Sequence, residues 1–249
     1  MEDKNILLTL SYDGTNYFGW QKQQNGTTIQ QTLEESLKKL LKKEINIRGA
    51  SRTDTGVHAL CQLALLKEKT TIPIEKLPMA INSVLETKEI VVTDAIYVDN
   101  SFHPQDSVYK KTYQYKIYNA PFLNPMLRNY TEFVCRPLDL EKMIEASKYF
   151  LGEHDFKGFC ASGSMAKTTV RTIYDLSINK KDNVITIEIT GNGFLYNMVR
   201  IIVGTLIDVG LYKKEPKDIK DIILSKDRQK AGKTVSAKGL TLYKIYYNL

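Results

Sequence analysis

Gly49-Ala50-Ser51-Arg52-Thr53-Asp54-Thr55-Gly56-Val57-His58-Ala59 joins two apolar runs, 45–50 and 59–66, and its reading decides the fold. Each run has the length and composition of a strand, so the polar break between them is a strand connection. Gly56 tolerates a positive φ, and an Asp side chain bonds readily to its own backbone, so Asp54 and Gly56 together favour a tight turn. A turn of that kind holds one carboxylate, Asp54, forward of both flanking strands. An isolated Asp-x-Gly is more often a polar loop with no chemistry. What sets this one apart is the ordered set Arg52, Thr53, Asp54, Gly56, Val57 and His58.

Upstream, 6–12 reads as a strand ending at Asp13-Gly14. Residues 28–43 read as a helix, with Ile29, Leu33, Leu37, Leu40 and Leu41 on one face and a capping box at Thr28 and Gln31. Downstream, 74–85 reads as a helix and 89–98 as a strand. Residues 100–106, polar and containing Pro104, mark a crossing point. A long strand follows over 108–118, then an extended loop with three prolines over 119–137 and a helix over 140–150. Residues 171–179 and 184–190 form a hairpin, 194–209 and 217–224 helices, and 240–247 a closing strand. The mixture places the chain in the α+β class. It predicts two α/β halves, 1–103 and 104–249, sharing a mixed, mainly antiparallel central sheet with flanking helices.

The helix over 194–209 supplies a second clue. Leu195, Val199, Ile202, Leu206 and Val209 recur at helical spacing, and Met198, Ile201, Val203 and Ile207 cover most of the remaining surface. Arg200 is the single charge between Phe194 and Ile207. A guanidinium inside such a helix requires an anion beside it. Asp54 fits that need, because pairing keeps a nucleophilic carboxylate ionised and aimed; Asp208 and Glu188 are the structural alternatives.

The strand over 108–118 interleaves Tyr109, Tyr113, Tyr115 and Tyr118 with Lys110, Lys111 and Lys116, and the odd-numbered tyrosines share one face. Aromatic rings among cations stack bases and hold phosphates, although tyrosines on one strand face are more often core. The stretch 226–238 carries Lys226, Arg228, Lys230, Lys233 and Lys238 against one acid, Asp227. It is either a solvated loop or a set of phosphate contacts that position RNA without reading its sequence.

Composition sets outer bounds. Of 249 residues 43% are hydrophobic, enough for a sizeable core, and 35 Lys and Arg against 28 Asp and Glu leave a charge of +7 that suits an anionic partner. Cys61, Cys135 and Cys160 are far apart and odd in number, which argues against a disulfide framework or zinc site and for reduced thiols in a cytosol. The charged start lacks a signal-peptide core, and no apolar run approaches the ~20 residues that span a bilayer. Gly232-Lys233-Thr234 mimics a P-loop ending, but Asp227 stands where its first glycine belongs. His58, His103 and His154 lack metal-ligand spacing, so no metal is expected. A non-catalytic RNA binder would be indifferent to loss of the Asp54 carboxylate, and a Mg²⁺-dependent nuclease would want clustered acids around it.

Several separated motifs, in order, resemble the tRNA pseudouridine synthase A (TruA) family. They are Tyr12-Asp13-Gly14-Thr15-x-Tyr17-x-Gly19-Trp20-Gln21, the Asp54 loop, Phe102-His103, Lys111-Thr112-Tyr113-Gln114-Tyr115, Met198-Val199-Arg200-x-Ile202-Val203-Gly204, and Gly239-Leu240. The resemblance implies the pseudouridine synthase fold, a cytoplasmic homodimer, no cofactor, and conversion of uridine to pseudouridine at positions 38 to 40 in the anticodon arm of tRNA. It implies that Asp54 and Arg200 are catalytic and that Tyr113, Arg52, Leu240, Thr53 and His58 bind the substrate. Lys110, Lys111, Lys226, Arg228 and Lys230 are weaker candidates for RNA contact. Asp54 then acts as nucleophile or as base at the sugar. The uridine must leave its stack to be reached. Thr55 stands where the family usually has Ala, and Gln105 where it has Arg.

Overall fold

A computed structural model describes residues 4–248. The strands are β1 (Asn5–Tyr12), β2 (Ile47–Gly49), β3 (His58–Leu66), β4 (Ile90–Val98), β5 (Val108–Asn119), β6 (Glu132–Val134), β7 (Gly152–Asp155), β8 (Val170–Lys181), β9 (Val184–Gly191) and β10 (Leu240–Tyr247). The helices are α1 (Ile29–Leu41), α2 (Leu77–Val84), α3 (Leu140–Ser147), α4 (Met198–Gly210) and α5 (Asp218–Ser225). The chain is α+β and divides into two compact units, 1–109 with 241–249, and 110–240. This differs from a simple cut at 103/104. The last strand returns to the first unit because β10 pairs in parallel with β3, Thr241 against His58 and Leu242 against Ala59.

In the first unit the strands run in the order β4-β1-β3-β10, with β2 also on β3. β1 is antiparallel to both β3 and β4. Its side chains are buried on both faces, Leu7, Leu8 and Leu10 among them. α1 starts where the Thr28 hydroxyl accepts from Gln31 N–H at 3.3 Å and stops where Lys42 turns left-handed at φ 55°. Its apolar stripe, Ile29, Leu33 and Leu37, is fully buried. Glu34 on the same helix is 7% exposed, yet its carboxylate accepts from Gln30 Nε2 at 2.9 Å and from Ile47 N–H at 3.1 Å. Together with the Lys22 ammonium 3.5 Å from its other oxygen, these bonds satisfy the buried charge and tie α1 to β2, the strand that leads into the Asp54 loop.

In the second unit the order is β5-β9-β8-β7, antiparallel where β5, β9, β8 and β7 meet, with β6 parallel to β5. α4 is buried on nearly every side, as its composition predicts. It begins at Met198 rather than 194, because Asn197 is left-handed at φ 60° and interrupts the helical path. The stretch 74–85 likewise divides into a 3₁₀ turn, Ile74–Lys76, and α2, with Pro78 accommodated in its first turn. The expected loop 119–137 contains β6, three residues long and bound to β5 through Ile117 and Glu132. β7, Gly-Glu-His-Asp in sequence, shows no apolar alternation and exists because β8 offers it an edge.

Candidate active site

The Asp54 loop is a tight turn closed by Val57 N–H donating to Asp54 O at 3.1 Å, with Gly56 left-handed at φ 76° as the Asp–Gly pair requires. Its entry is fixed from β3: Ala50 N–H donates to Leu63 O at 2.9 Å, and the fully buried Gln62 side chain donates to Ser51 O at 2.7 Å. Trp20, 1% exposed, lies so close to Gly49 that a Cβ there would fall 2.3 Å from its Nε1. The Tyr12 ring stacks on Trp20 at 6.2 Å, and the Tyr12 hydroxyl bonds the Thr53 hydroxyl at 2.8 Å.

Two glycines of the segment preceding α1 set its closeness to the loop. A Cβ on Gly14 would sit 2.0 Å from Val57 O, and one on Gly19, itself at φ 81°, would sit 2.5 Å from Thr53 O. The backbones touch where no other residue fits. Within this frame Asp54 is half-buried and Arg52 is exposed. Thr53 and His58 are both 6% exposed. His58 therefore faces the protein: its Nδ1 lies 3.0 Å from Asp13 Oδ1 and 3.1 Å from Gly14 N.

In the second unit Tyr113 is 7% exposed and meets Phe194 edge-on, with ring centres 5.2 Å apart. Tyr115, two residues along β5, donates its hydroxyl to Ser236 O at 2.8 Å, and its ring lies against Gly239, immediately before Leu240. Burial raises the Tyr115 pKa far above the ordinary phenol range, so it remains neutral. Tyr109, grouped with these two by alternation, is instead exposed and tilted against Tyr246. Leu240 is 5% exposed.

Arg200 is half-buried on α4. Its Nε donates to Val235 O at 2.7 Å and its guanidinium to Asn197 Oδ1 at 2.6 Å. The two acids named as structural alternatives have other ties, Asp208 to Lys213 at 3.2 Å and Glu188 to Gln114 at 2.8 Å. Asn197 and Val235 escaped the sequence reading as holders of Arg200. The signal for the first is an Asn placed directly before an apolar helix.

The candidate RNA contacts separate into kinds. Lys226 pairs with Asp155 at 2.7 Å, a contact that, with the Thr169 hydroxyl, holds the Asp155 carboxyl below its usual range. Arg228 donates to Gly232 O at 2.9 Å and to the Thr234 hydroxyl at 3.0 Å. Lys230 is exposed. Lys110 and Lys111 are half-buried on β5, and burial pushes the Lys111 ammonium down to about 8. Among the described residues no group of three or more His, Cys, Asp or Glu is disposed to hold a metal ion, and no helix is long and apolar enough to cross a membrane.

Comparison with known proteins meets this geometry along nearly the whole chain. The profile of the tRNA pseudouridine synthase family matches residues 9–105 and 146–248, which contain the Asp54 loop, Arg200 and Leu240 but not Tyr113. A protein called tRNA pseudouridine synthase A from Thermoanaerobacter sp. (strain X514) is 52% identical, covering 98% of this chain and 100% of that one. Another of that name from Caldicellulosiruptor bescii is 50% identical over the same shares. A third, tRNA pseudouridine synthase A 2 of Clostridium tetani, is 48% identical over 98% of this chain and 99% of its own. Half the residues agreeing end to end, with the profile covering the segment before α1, the turn and α4 alike, means the chain is an isomerase belonging to the tRNA pseudouridine synthase family.

Proposed function

We propose that this enzyme isomerises uridine to pseudouridine in the anticodon arm of tRNA, at positions 38 to 40, with Asp54 as the nucleophile. The reaction breaks the bond between N1 of the base and C1′ of the sugar, turns the base, and joins C5 to C1′. N1 gains a proton and C5 gives one up, so the change is redox-neutral.

The observation that carries the reading is the Asp54 turn. A half-buried carboxylate sits in a loop whose neighbours on both sides, Thr53 and Val57, are held by backbone contact too close for a Cβ. Rigid placement of one reacting group is what converts binding into rate. Arg200, oriented by Asn197 and Val235, is the cation assigned to work with this carboxylate. Tyr113 is assigned to pack against the turning base, Leu240 and Thr53 to contact the substrate, and exposed Arg52 to fill the space that the base leaves. The charge of +7 suits the tRNA backbone. The family resemblance extends the reading to a homodimer acting in the cytoplasm; light scattering of the purified protein reads the first directly.

The test is tritium release from 5-labelled uridine in an anticodon-arm RNA. Asp54→Asn should abolish release while tRNA binding persists, and Arg200→Met should lose far more activity than Lys230→Ala. Full turnover by Asp54→Asn would end the assignment. Equal losses in Arg200→Met and Lys230→Ala would remove Arg200 from the chemistry.

A further inference from the structure

The segment 12–20 is assigned no reacting group, yet it touches the Asp54 loop at Gly49, Thr53, Gly56, Val57 and His58. Tyr12 bonds the Thr53 side chain, Trp20 N–H donates to Thr53 O at 3.0 Å, and Gly56 N–H donates to Tyr17 O at 3.2 Å. Gly14 lies against Val57 O. The final tie is His58, four residues beyond Asp54 and the first residue of β3.

The His58 contact is of an unusual kind for a buried ring. One nitrogen, Nδ1, faces both the Gly14 N–H at 3.1 Å and the Asp13 carboxylate at 3.0 Å. Without a hydrogen Nδ1 accepts from Gly14; with one it donates to Asp13. In either state the ring stays bonded to one of these two residues, through the Asp13 side chain or the Gly14 N–H. Asp13 is itself fixed, accepting from Thr15 N–H at 2.9 Å and from the Thr15 hydroxyl at 2.6 Å, while its own N–H donates to Glu89 O at 2.9 Å. A chain of bonds thus runs from the residue before β4 through Asp13 to His58 and the exit of the turn.

We infer that Asp13 and His58 are positioning residues for the isomerisation: they set the exit of the Asp54 turn, and through it the aim of the carboxylate. The inference rests on Asp54 being the reacting group. It also moves His58 from a substrate contact to a support, in keeping with its burial. A carboxylate displaced by about 1 Å loses on the order of a hundredfold in rate, whereas a support that only adds stability leaves the rate per folded molecule unchanged.

The experiment compares Asp13→Asn, His58→Ala, His58→Asn and Asp54→Asn with the parent enzyme on one tRNA transcript. It measures kcat, KM, tRNA Kd and thermal midpoint, with rates taken well below every midpoint. Asp13→Asn should lower kcat about tenfold and His58→Ala about a hundredfold, with KM and Kd within about twofold of the parent. His58→Asn, which returns a polar atom near the Nδ1 position, should recover at least about fivefold over His58→Ala. Values of kcat within twofold of the parent in both Asp13→Asn and His58→Ala would overturn the inference. So would a lowered midpoint with kcat unchanged, the mark of a purely structural bond. If His58→Ala does not fold, Asp13→Asn decides alone. Activity retained by Asp54→Asn would instead remove the assignment beneath the inference; an inactive Asp54→Asn beside unaffected Asp13→Asn and His58→Ala would remove only the inference.

Discussion

Replacing Gly14 by Ala adds one methyl group to a contact with no room for it. The new Cβ would sit 2.0 Å from Val57 O and 2.7 Å from its carbonyl carbon, where separations under 3.0 Å are essentially never seen. Relief requires the two backbones to part by about 1 Å, and neither is a flexible side-chain end that swings away cheaply. Forced separation of packed segments costs about 1–3 kcal/mol, which lowers the thermal midpoint by roughly 2–12 °C in a chain of this length. Against a total stability of about 5–15 kcal/mol, that leaves the molecule folded at 25 °C. The effect on rate should be larger than folding explains. Val57 closes the Asp54 turn, so a 1 Å displacement there moves the carboxylate and costs on the order of a hundredfold in kcat, about 2.7 kcal/mol of barrier. The assay is single-turnover pseudouridine formation at 25 °C beside a melting curve and a tRNA titration. Gly163→Ala is the control: its φ of 83° gives backbone strain of about 1 kcal/mol, but nothing lies within 4 Å of the added Cβ, so kcat should not change. If Gly14→Ala melts lower yet keeps kcat within threefold, the backbone at Val57 yields without moving Asp54, and the account of a rigidly held nucleophile fails.

Three further outcomes follow from the cations. The Lys111 pKa is pushed from 10.5 down to about 8 by burial, so the folded state pays for its charge wherever both states hold the proton. Above about pH 8 the folded lysine gives up that proton while the unfolded chain keeps it to about 10.5, so the penalty fades as pH rises. Lys111→Met should therefore be more stable than the parent at pH 7, by about 3 kcal/mol at most, with the gap narrowing by pH 10; urea midpoints at both pH values check this, and a constant or widening gap would refute it. Lys230→Ala should reduce the slope of log Kd for tRNA against log salt by about 1 with no change in melting. Arg228→Ala should lower the melting midpoint because it strips bonds from Gly232 O and Thr234; a melting loss for Lys230→Ala equal to that of Arg228→Ala would contradict the division.

What the sequence discloses, and what it withholds, follows from the range of the interaction that forms each element. β1, α1, β9 and α4 announce themselves because their own side chains carry the pattern that buries them, as Leu33 and Leu37 do one turn apart. The Asp54 turn is legible for the same reason: Gly56 at φ 76° is a local requirement met by a local residue. β6 and β7 are withheld because each is created by a partner strand, Glu132 by Ile117 and Gly152 by Ile173, across stretches of chain that no short window spans. The start of α4 is withheld because Asn197 adopts a left-handed backbone that an Asn tolerates but does not demand. The same distinction divides the site. Asp54 and Arg200 are visible as charges in unlikely settings, whereas the supports around them are neutral or glycine and acquire meaning only in three dimensions. Gly14 and Gly19 look like ordinary turn glycines until Val57 O and Thr53 O are found 2.0 Å and 2.5 Å from where their side chains would be. His58 reads as a candidate ligand for substrate until its Nδ1 is found between Asp13 and Gly14. The groups proposed to react stand out by residue chemistry alone, but the parts proposed to aim them are defined by close approach between distant backbones, which composition and spacing do not encode.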